Sequence, residues 1–463
     1  MKILSVVALA LQLVIVIALS FWLSHWVWLA LLFRGAGMLL CAYILDSGMN
    51  STYKTLYALL LSAFPLLGIV AYIVMRAGGR AKKSVPKAQA EPSKTGGYAA
   101  AKLGGKCGTA EGAEYIESGK KFFSMLLKDI RSAKKFVLLQ FYIVKQGELL
   151  DELFTALGGC AGRGVKVKFA FDSFGAFRSE KELKALCEKN RVEYRVFNKI
   201  GWVLSGGINR RNHGKCAVID GKIAYVGGVN VGDEYVGKTE RFGVWKDGGI
   251  RFCGGAVDGV TEAFFAAYNF RRRKKESPEP FYRKKEDVLE NGEFLNAFFS
   301  VPTGEESHLA EVYKTAIYNA KKSVTISTPY LIPDEGVTGA LISAAERGVK
   351  VQIVIPAIPD KRAVYEVTLA IAEKLKAHGV SVLKFNAGFL HSKNTIIDGK
   401  YLLCGSGNMD YRSLYLHYEI GVFGKCRRLA ADAEKDVLNG AVEYAGYAPT
   451  LKARAFKIFA PFM

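Results

Sequence analysis

The sequence predicts an α/β chain: two similar β/α units in tandem, preceded by membrane helices. Three observations predict this. The longest uncharged apolar runs lie within the first 75 residues. After residue 107, short strand-like runs alternate with helical patterns, which implies a mostly parallel or mixed sheet covered by helices. That alternation also repeats itself. Ala133-Lys134-Lys135 opens the run 136–144 as Ala320-Lys321-Lys322 opens 323–332, and Arg163-Gly164-Val165-Lys166 recurs as Arg347-Gly348-Val349-Lys350.

The apolar runs come first. Residues 3–22 and 55–75 are each about one span of uncharged sequence, since a hydrocarbon core needs roughly 20 helical residues, and both are expected to cross a bilayer. Pro65 within the second is expected to kink it. Residues 26–45 are apolar but carry Arg34 near the middle, a charge that costs roughly 2.5 to 3.5 kcal/mol on insertion scales, so the region holds two or three helices. Arg76, Arg80, Lys82, Lys83 and Lys87 follow at once, and such a cluster predicts that the downstream chain faces the cytoplasm of a multi-pass cell-membrane protein.

The remaining boundaries follow from composition. Residues 1–76 form the membrane region, and 77–106, rich in Gly, Ala, Lys, Pro and Ser without apolar periodicity, read as a basic flexible linker. The first β/α unit is expected over 107–285 and the second over 286–463. With 463 residues and 50% apolar composition, the chain can bury a sizeable core and is not disordered. Its 64 Lys and Arg against 43 Asp and Glu give a net charge of +21. That excess favours anionic partners: nucleic acid, lipid headgroups or phosphorylated substrates. Eight scattered cysteines with no C-x-x-C pair argue against a disulfide framework or zinc knuckle, and read as buried thiols in a reducing compartment.

The chemistry sits in a doubled motif. His213-Gly214-Lys215-Cys216-Ala217-Val218-Ile219-Asp220 in the first unit matches His391-Ser392-Lys393-Asn394-Thr395-Ile396-Ile397-Asp398 in the second, with His, Lys and Asp at identical offsets. Each leads through Asp-Gly-Lys to Gly227-Gly228-Val229-Asn230 or Gly405-Ser406-Gly407-Asn408. Residues two apart on a strand share a face, so each histidine projects with its lysine. Asp-Gly is a hairpin signal that returns the asparagine toward the same spot. Lysine ammoniums and asparagine amides suit phosphoryl oxygens, while two histidines supply a nucleophile and a proton carrier. The motif aspartates Asp220 and Asp398, at the far end of each strand, suit turn formation and bracing better than chemistry.

This doubled pattern resembles the phospholipase D superfamily over residues 110–463. The resemblance implies two tandem β/α sandwich domains about a pseudo-twofold axis, one cleft shared by both histidines, and a phosphohistidine intermediate with no metal and no cofactor. It makes the motif residues His213, Lys215, Asp220, His391, Lys393 and Asp398 the catalytic set. His213 would be the nucleophile and His391 the general acid and base, an order that the symmetry leaves open. Lys215, Lys393, Asn230 and Asn408 would bind phosphate, and an acidic residue further along each copy, matching Asp247 and Glu419, would orient a histidine.

Further segments are similar to bacterial cardiolipin synthases: Asn50-Ser51-Thr52-Tyr53-Lys54, Arg211-Asn212-His213, Gly232-Asp233-Glu234-Tyr235, Thr328-Pro329-Tyr330 and Asn408-Met409-Asp410-Tyr411-Arg412-Ser413. Gly214 departs from that pattern, where many synthases carry arginine. The implied reaction moves a phosphatidyl group from one phosphatidylglycerol to another, giving cardiolipin and glycerol. The partners would be anionic phospholipids and the membrane, not nucleic acid. A related phosphatidyltransferase or phospholipase D with phosphatidylethanolamine as donor remains the alternative, and a catalytically dead adaptor is opposed by both intact motifs. Arg210 and Arg211 are candidates for headgroup recognition, and Trp202 for the membrane interface.

Overall fold

A computed structural model describes residues 2–23, 26–77, 105–199, 206–240, 242–283, 293–302, 307–448, 450, 453 and 456–463. Trp202 and the expected linker from 78 to 104 lie outside these.

The N-terminal region differs from the expectation of two clean spans. Lys2–Leu23 is helical, and Val27–Asp46 is one continuous 20-residue helix despite Arg34. Among the described residues the latter is the one helix long and apolar enough to cross a membrane. The run 55–75, by contrast, is not one span. Pro65 has no N–H to donate, and at Phe64 (φ −137°, ψ 78°) the chain divides into the 13-residue helices Ser51–Ala63 and Pro65–Ala77. The rings of Tyr57 and Tyr72 lie 5.5 Å apart, whereas 15 residues of straight helix would separate them by about 22 Å. The proline therefore folds the segment back on itself rather than kinking a span.

One 15-stranded mixed sheet runs through the rest. At its centre Gly105–Ile116 pairs antiparallel with Glu293–Ser300. Outward on one side lie Gly249–Cys253, Ile223–Gly227, Cys216–Ile219, Phe136–Phe141, Lys166–Asp172 and Glu193–Phe197. Outward on the other lie Glu419–Lys425, Tyr401–Gly405, Asn394–Ile397, Ser323–Ser327, Lys350–Pro356, Ser381–Phe385 and the edge strand Ala441–Glu443. The repeated segments thus take the same rank on either side: a motif strand in an antiparallel hairpin, then three parallel strands. The hairpin turns form as their Asp-Gly pairs require, with φ of 54° and 69° at Asp220 and Gly221 and 55° and 59° at Asp398 and Gly399.

The core is layered. Helix Gly119–Ser132 turns Phe122, Phe123, Leu126 and Ile130 onto one face of the first half, the i, i+3, i+4 pattern of an amphipathic helix. The second half has its own cluster around Ile326, Leu341 and Ile353. On the opposite sheet face both halves share a third cluster, where Val260 and Phe264 meet Val422, Leu429 and Ala433. That shared core fixes the two motif strands relative to each other. All seven cysteines with described side chains are free thiols, five buried and Cys41 and Cys253 partly so.

Candidate active site

Each motif histidine lies on the extended lead-in to its strand rather than within it: His213 and Lys215 precede Cys216–Ile219, and His391 and Lys393 precede Asn394–Ile397. Each lead-in is strung to the opposite half. Asn212 forms a parallel bridge with Tyr418, and the His213 N–H donates to the Tyr418 carbonyl at 2.8 Å. Gly388–Leu390 pairs in parallel with Val244–Lys246, whose Lys246 carbonyl accepts from the N–H of His391 at 2.6 Å. The next residue in each receiving segment is a carboxylate, so the pairs cross. His213 Nδ1 stands 3.0 Å from both oxygens of Glu419, and His391 Nδ1 stands 2.5 Å from Oδ2 of Asp247.

All four groups are buried, and burial sets their proton affinities. It lowers His213 well below the usual imidazole range, against the pull of Glu419. His391 is lowered likewise by burial, then by Lys393, Lys215 and Lys361. Burial thus favours the neutral form of both rings; His213 directs Nδ1 at Glu419 and keeps the lone pair on Nε2, whereas His391 Nδ1 faces both Asp247 Oδ2 and, at 2.9 Å, Lys393 Nζ. The carboxylates differ. Burial would raise Glu419, but His213, its hydrogen bond, His417 and Lys215 outweigh this and hold it well below the carboxylate range. Asp247 is pushed up to about 7 by burial, which Lys393, the Gly248 N–H and Lys215 only partly offset. Burial also depresses the lysines, Lys215 far below its usual range and Lys393 to about 8. Lys215 acts on Asp247 and His391, and Glu419 on Lys393, so both motifs share one electrostatic environment.

The other expected residues divide. Asn230 is buried with its carbonyl accepting from Ile143 N–H and its amide donating to Tyr235. Asn408 donates to Asp410, and its buried Oδ1 has no donor among the described residues. Asp220 and Asp398, although within the motif, stand outside the site. Asp220 accepts from the N–H groups of Lys134, Lys135 and Phe136, and Asp398 from those of Lys321, Lys322 and Ser323. Arg211 departs from the headgroup expectation: it is buried, paired with Asp172 at 3.3 Å and bonded to the carbonyls of Asn198 and Ile208. At Gly214 a Cβ would lie 2.4 Å from Gln140 Nε2, so a larger residue there requires the Gln140 amide, which donates to Asn212, to move. At Gly228 a Cβ would lie 2.4 Å from Asp247 Oδ1 and 3.0 Å from Lys393 Nζ, so any larger residue would displace these two site groups.

Sequence reasoning gave no role to several groups that the fold brings in. Ser406 donates to Glu419, and the His417 ring lies 5.2 Å from that of His213. Tyr142 meets His213 edge-on at 5.0 Å, while Trp245 and Tyr235 flank His391 at 5.4 and 5.7 Å. Ser406 and Tyr235 lie in segments already singled out beside the motifs, and Trp245 and His417 stand two residues before Asp247 and Glu419, but Tyr142 carries no signal beyond strand propensity. Next to Arg211, whose guanidinium stands over the Phe174 ring and bonds the Ile208 carbonyl, a groove of about 710 Å³, largely apolar, is lined by Val144, Phe174, Phe177 and Ile208 with Lys145 and Arg178.

Among the described residues one grouping, His213, His417 and Glu419, is compact enough for a metal ion. Its donors do not fit one. The Arg412 guanidinium donates Nε–H to His417 Nε2 at 3.3 Å, which leaves the neutral ring's proton on Nδ1, facing Glu419 at 3.6 Å. Both rings then offer Glu419 protons instead of offering a cation lone pairs.

Comparison with known proteins places this geometry. The family model described as "Cardiolipin synthase, PLD-like domain" matches residues 126–244 and 313–439, more than half of the chain and one segment around each motif. The chain belongs to this phospholipase D-like family. It is 36% identical over 308 residues to a cardiolipin synthase of Staphylococcus aureus (strain Mu50), covering 66% of this chain and 62% of that one. It is 33% identical over 328 residues to a cardiolipin synthase of Geobacillus sp. (strain WCH70), covering 70% and 65%. The match thus spans a little under two thirds of the length of these relatives. The crystal structure of a phosphatidylserine synthase from Haemophilus influenzae shares the fold, with a TM-score of 0.58 at 16% identity over 78% of this chain and 96% of that one.

Proposed function

We propose that this chain is a phosphatidyltransferase that joins two phosphatidylglycerol molecules into cardiolipin and glycerol. The observation that carries this is the crossed pairing of two buried histidines with carboxylates of the opposite half, beside two buried lysines. Family membership narrows the chemistry from phosphodiesters in general to lipids.

In the first step His213 Nε2 attacks the phosphorus of a phosphatidylglycerol. The bond from phosphorus to the glycerol oxygen breaks, and His391 gives that oxygen its Nε2 proton while its Nδ1 takes up the proton held by Asp247, so that the ring stays neutral. The second phosphatidylglycerol then loses its terminal hydroxyl proton to His391 Nε2, and its oxygen attacks phosphorus and releases His213. The ionised Glu419 stabilises positive charge on the ring that carries the phosphoryl group, which supports His213 as nucleophile. Asp247, balanced near neutrality, suits a ring that gains and loses a proton each cycle. Lys215 and Lys393 hold the phosphoryl oxygens, with Asn230 and Asn408 shaping their side of the cleft. The apolar groove lined by Phe174, Phe177 and Ile208 suits acyl chains, and its basic rim suits an anionic headgroup.

Residues 107–285 and 286–463 would then be two phospholipase D-like domains about a pseudo-twofold axis, a reading supported by the matching strand ranks. Residues 1–76 would form the membrane region, 77–106 the linker, and the basic cluster from Arg76 to Lys87 would keep the domains on the cytoplasmic side. Purified protein given phosphatidylglycerol alone should yield cardiolipin and free glycerol in equal amounts by mass spectrometry. Product that forms only after phosphatidylethanolamine is added would refute the donor assignment.

A further inference from the structure

The turn at the foot of the membrane helices is built into the second half of the catalytic region. Tyr53 is buried in that half's core, edge-on to both Tyr411 and Tyr415, and its hydroxyl donates to the Pro461 carbonyl at 2.8 Å. Asn50 donates to the Tyr415 hydroxyl at 3.1 Å, and Thr52 Oγ1 lies 2.6 Å from the Tyr411 hydroxyl. Ser51 and Thr52 also donate to Glu335. Four consecutive residues thus spend their polar groups on one patch far away in sequence.

That patch leads to the catalytic carboxylate. Tyr411 and Tyr415 flank or lie within the π-helical turn Arg412–Leu416, a geometry that recurs at functional sites. The turn closes when the His417 N–H donates to the Arg412 carbonyl at 2.8 Å, and Arg412 Nε fixes the His417 tautomer, so that its Nδ1–H faces Glu419. Glu419 in turn orients His213. The second arm of the folded hairpin, Pro65–Ala77, packs on the turn Gly206–Asn209, which leads directly into Arg211 and His213.

We infer that Asn50-Ser51-Thr52-Tyr53 is a positioning element of the active site, joining the membrane hairpin through Tyr411, Arg412 and His417 to the carboxylate that aims His213. It rests on the reading of Glu419 as the orienting group of the nucleophile. The substrate-independent consequence is that His213 Nε2 should lose nucleophilicity when the turn is cut loose.

The test is labelling of the full-length protein with diethyl pyrocarbonate, read by peptide mass spectrometry at His213, with half-exposed His378 as internal reference. Thr52→Val, which removes the hydroxyl that both Tyr411 and Glu335 use, should slow His213 labelling by about fivefold relative to His378, the order expected for one withdrawn hydrogen bond. Thr52→Ser should restore it. In the same variant kcat on phosphatidylglycerol should fall with KM unchanged. If Thr52→Val fails to fold, Tyr411→Phe removes the partner hydroxyl and serves in the same assay. His213 labelling equal to or faster than wild type in a folded variant overturns the inference. Because the labelling needs no lipid, it decides this point even if the chain proves inactive on phosphatidylglycerol.

Discussion

His213 and His391 occupy the same position of one motif, yet their carboxylates are treated in opposite ways. Glu419 is reached by donors from His213 and Ser406, with His417 close by, and stays ionised. Asp247 has one backbone N–H besides His391 and lies near Lys393, too little to offset burial, and titrates near neutrality. A repeated sequence therefore does not make a symmetric site. The number of donors around each buried carboxylate decides whether its histidine keeps a fixed anion behind it or shares a mobile proton.

The comparison is broken most directly by removing each ring. His213→Ala should abolish turnover, by about 10⁴-fold or more, and should trap no phosphoprotein. His391→Ala should also fall steeply on phosphatidylglycerol, yet still form a phosphohistidine from a diester with a p-nitrophenol leaving group, which departs without a proton. Equal loss of intermediate in both variants would reverse or merge the two roles.

The carboxylates sharpen it. Glu419→Gln should cost about 10²- to 10³-fold in kcat, because His213 loses its anion and its enforced tautomer. Asp247→Asn should cost less and shift the pH–rate transition expected near 7 for the wild type. An unchanged transition would remove Asp247 from the proton step.

Stability should respond the other way at Asp247. Its folded pKa of about 7 lies above its unfolded value of 3.8, so between these the folded chain holds a proton that the unfolded chain has lost. Stability therefore falls as pH rises through that window. A shift of this size bounds the cost at about 4 kcal/mol above pH 7. Asp247→Asn should raise the unfolding midpoint at pH 8, raise it less at pH 5 and leave it unchanged near pH 4. A uniform gain at every pH would point to packing instead.

The smallest difference between halves is expected at the motif aspartates, whose surroundings match. Asp220→Ala and Asp398→Ala should each lower stability by about 1 to 3 kcal/mol through lost backbone acceptors, measured by thermal melting, with kcat per folded molecule little changed.

The sequence by itself determined what short-range chemistry can determine. Histidine, lysine and the Asp-Gly turn are linked within nine residues, so covalent spacing alone makes strand and hairpin, twice over, although it placed each histidine within the strand and not on the lead-in before it. The N-terminal region was legible as apolar but not as a shape: hydropathy cannot tell a kinked span from a folded hairpin, because the fold-back at Pro65 depends on what Tyr57 and Tyr72 meet. The choice of partner belonged to the tertiary structure. His213 finds Glu419 across 206 residues and His391 finds Asp247 across 144, contacts that exist only because the two halves share a core that sets their lead-ins side by side. Proton affinities follow from that same packing, since burial and donor count are properties of the assembled interior and not of any residue's neighbours along the chain.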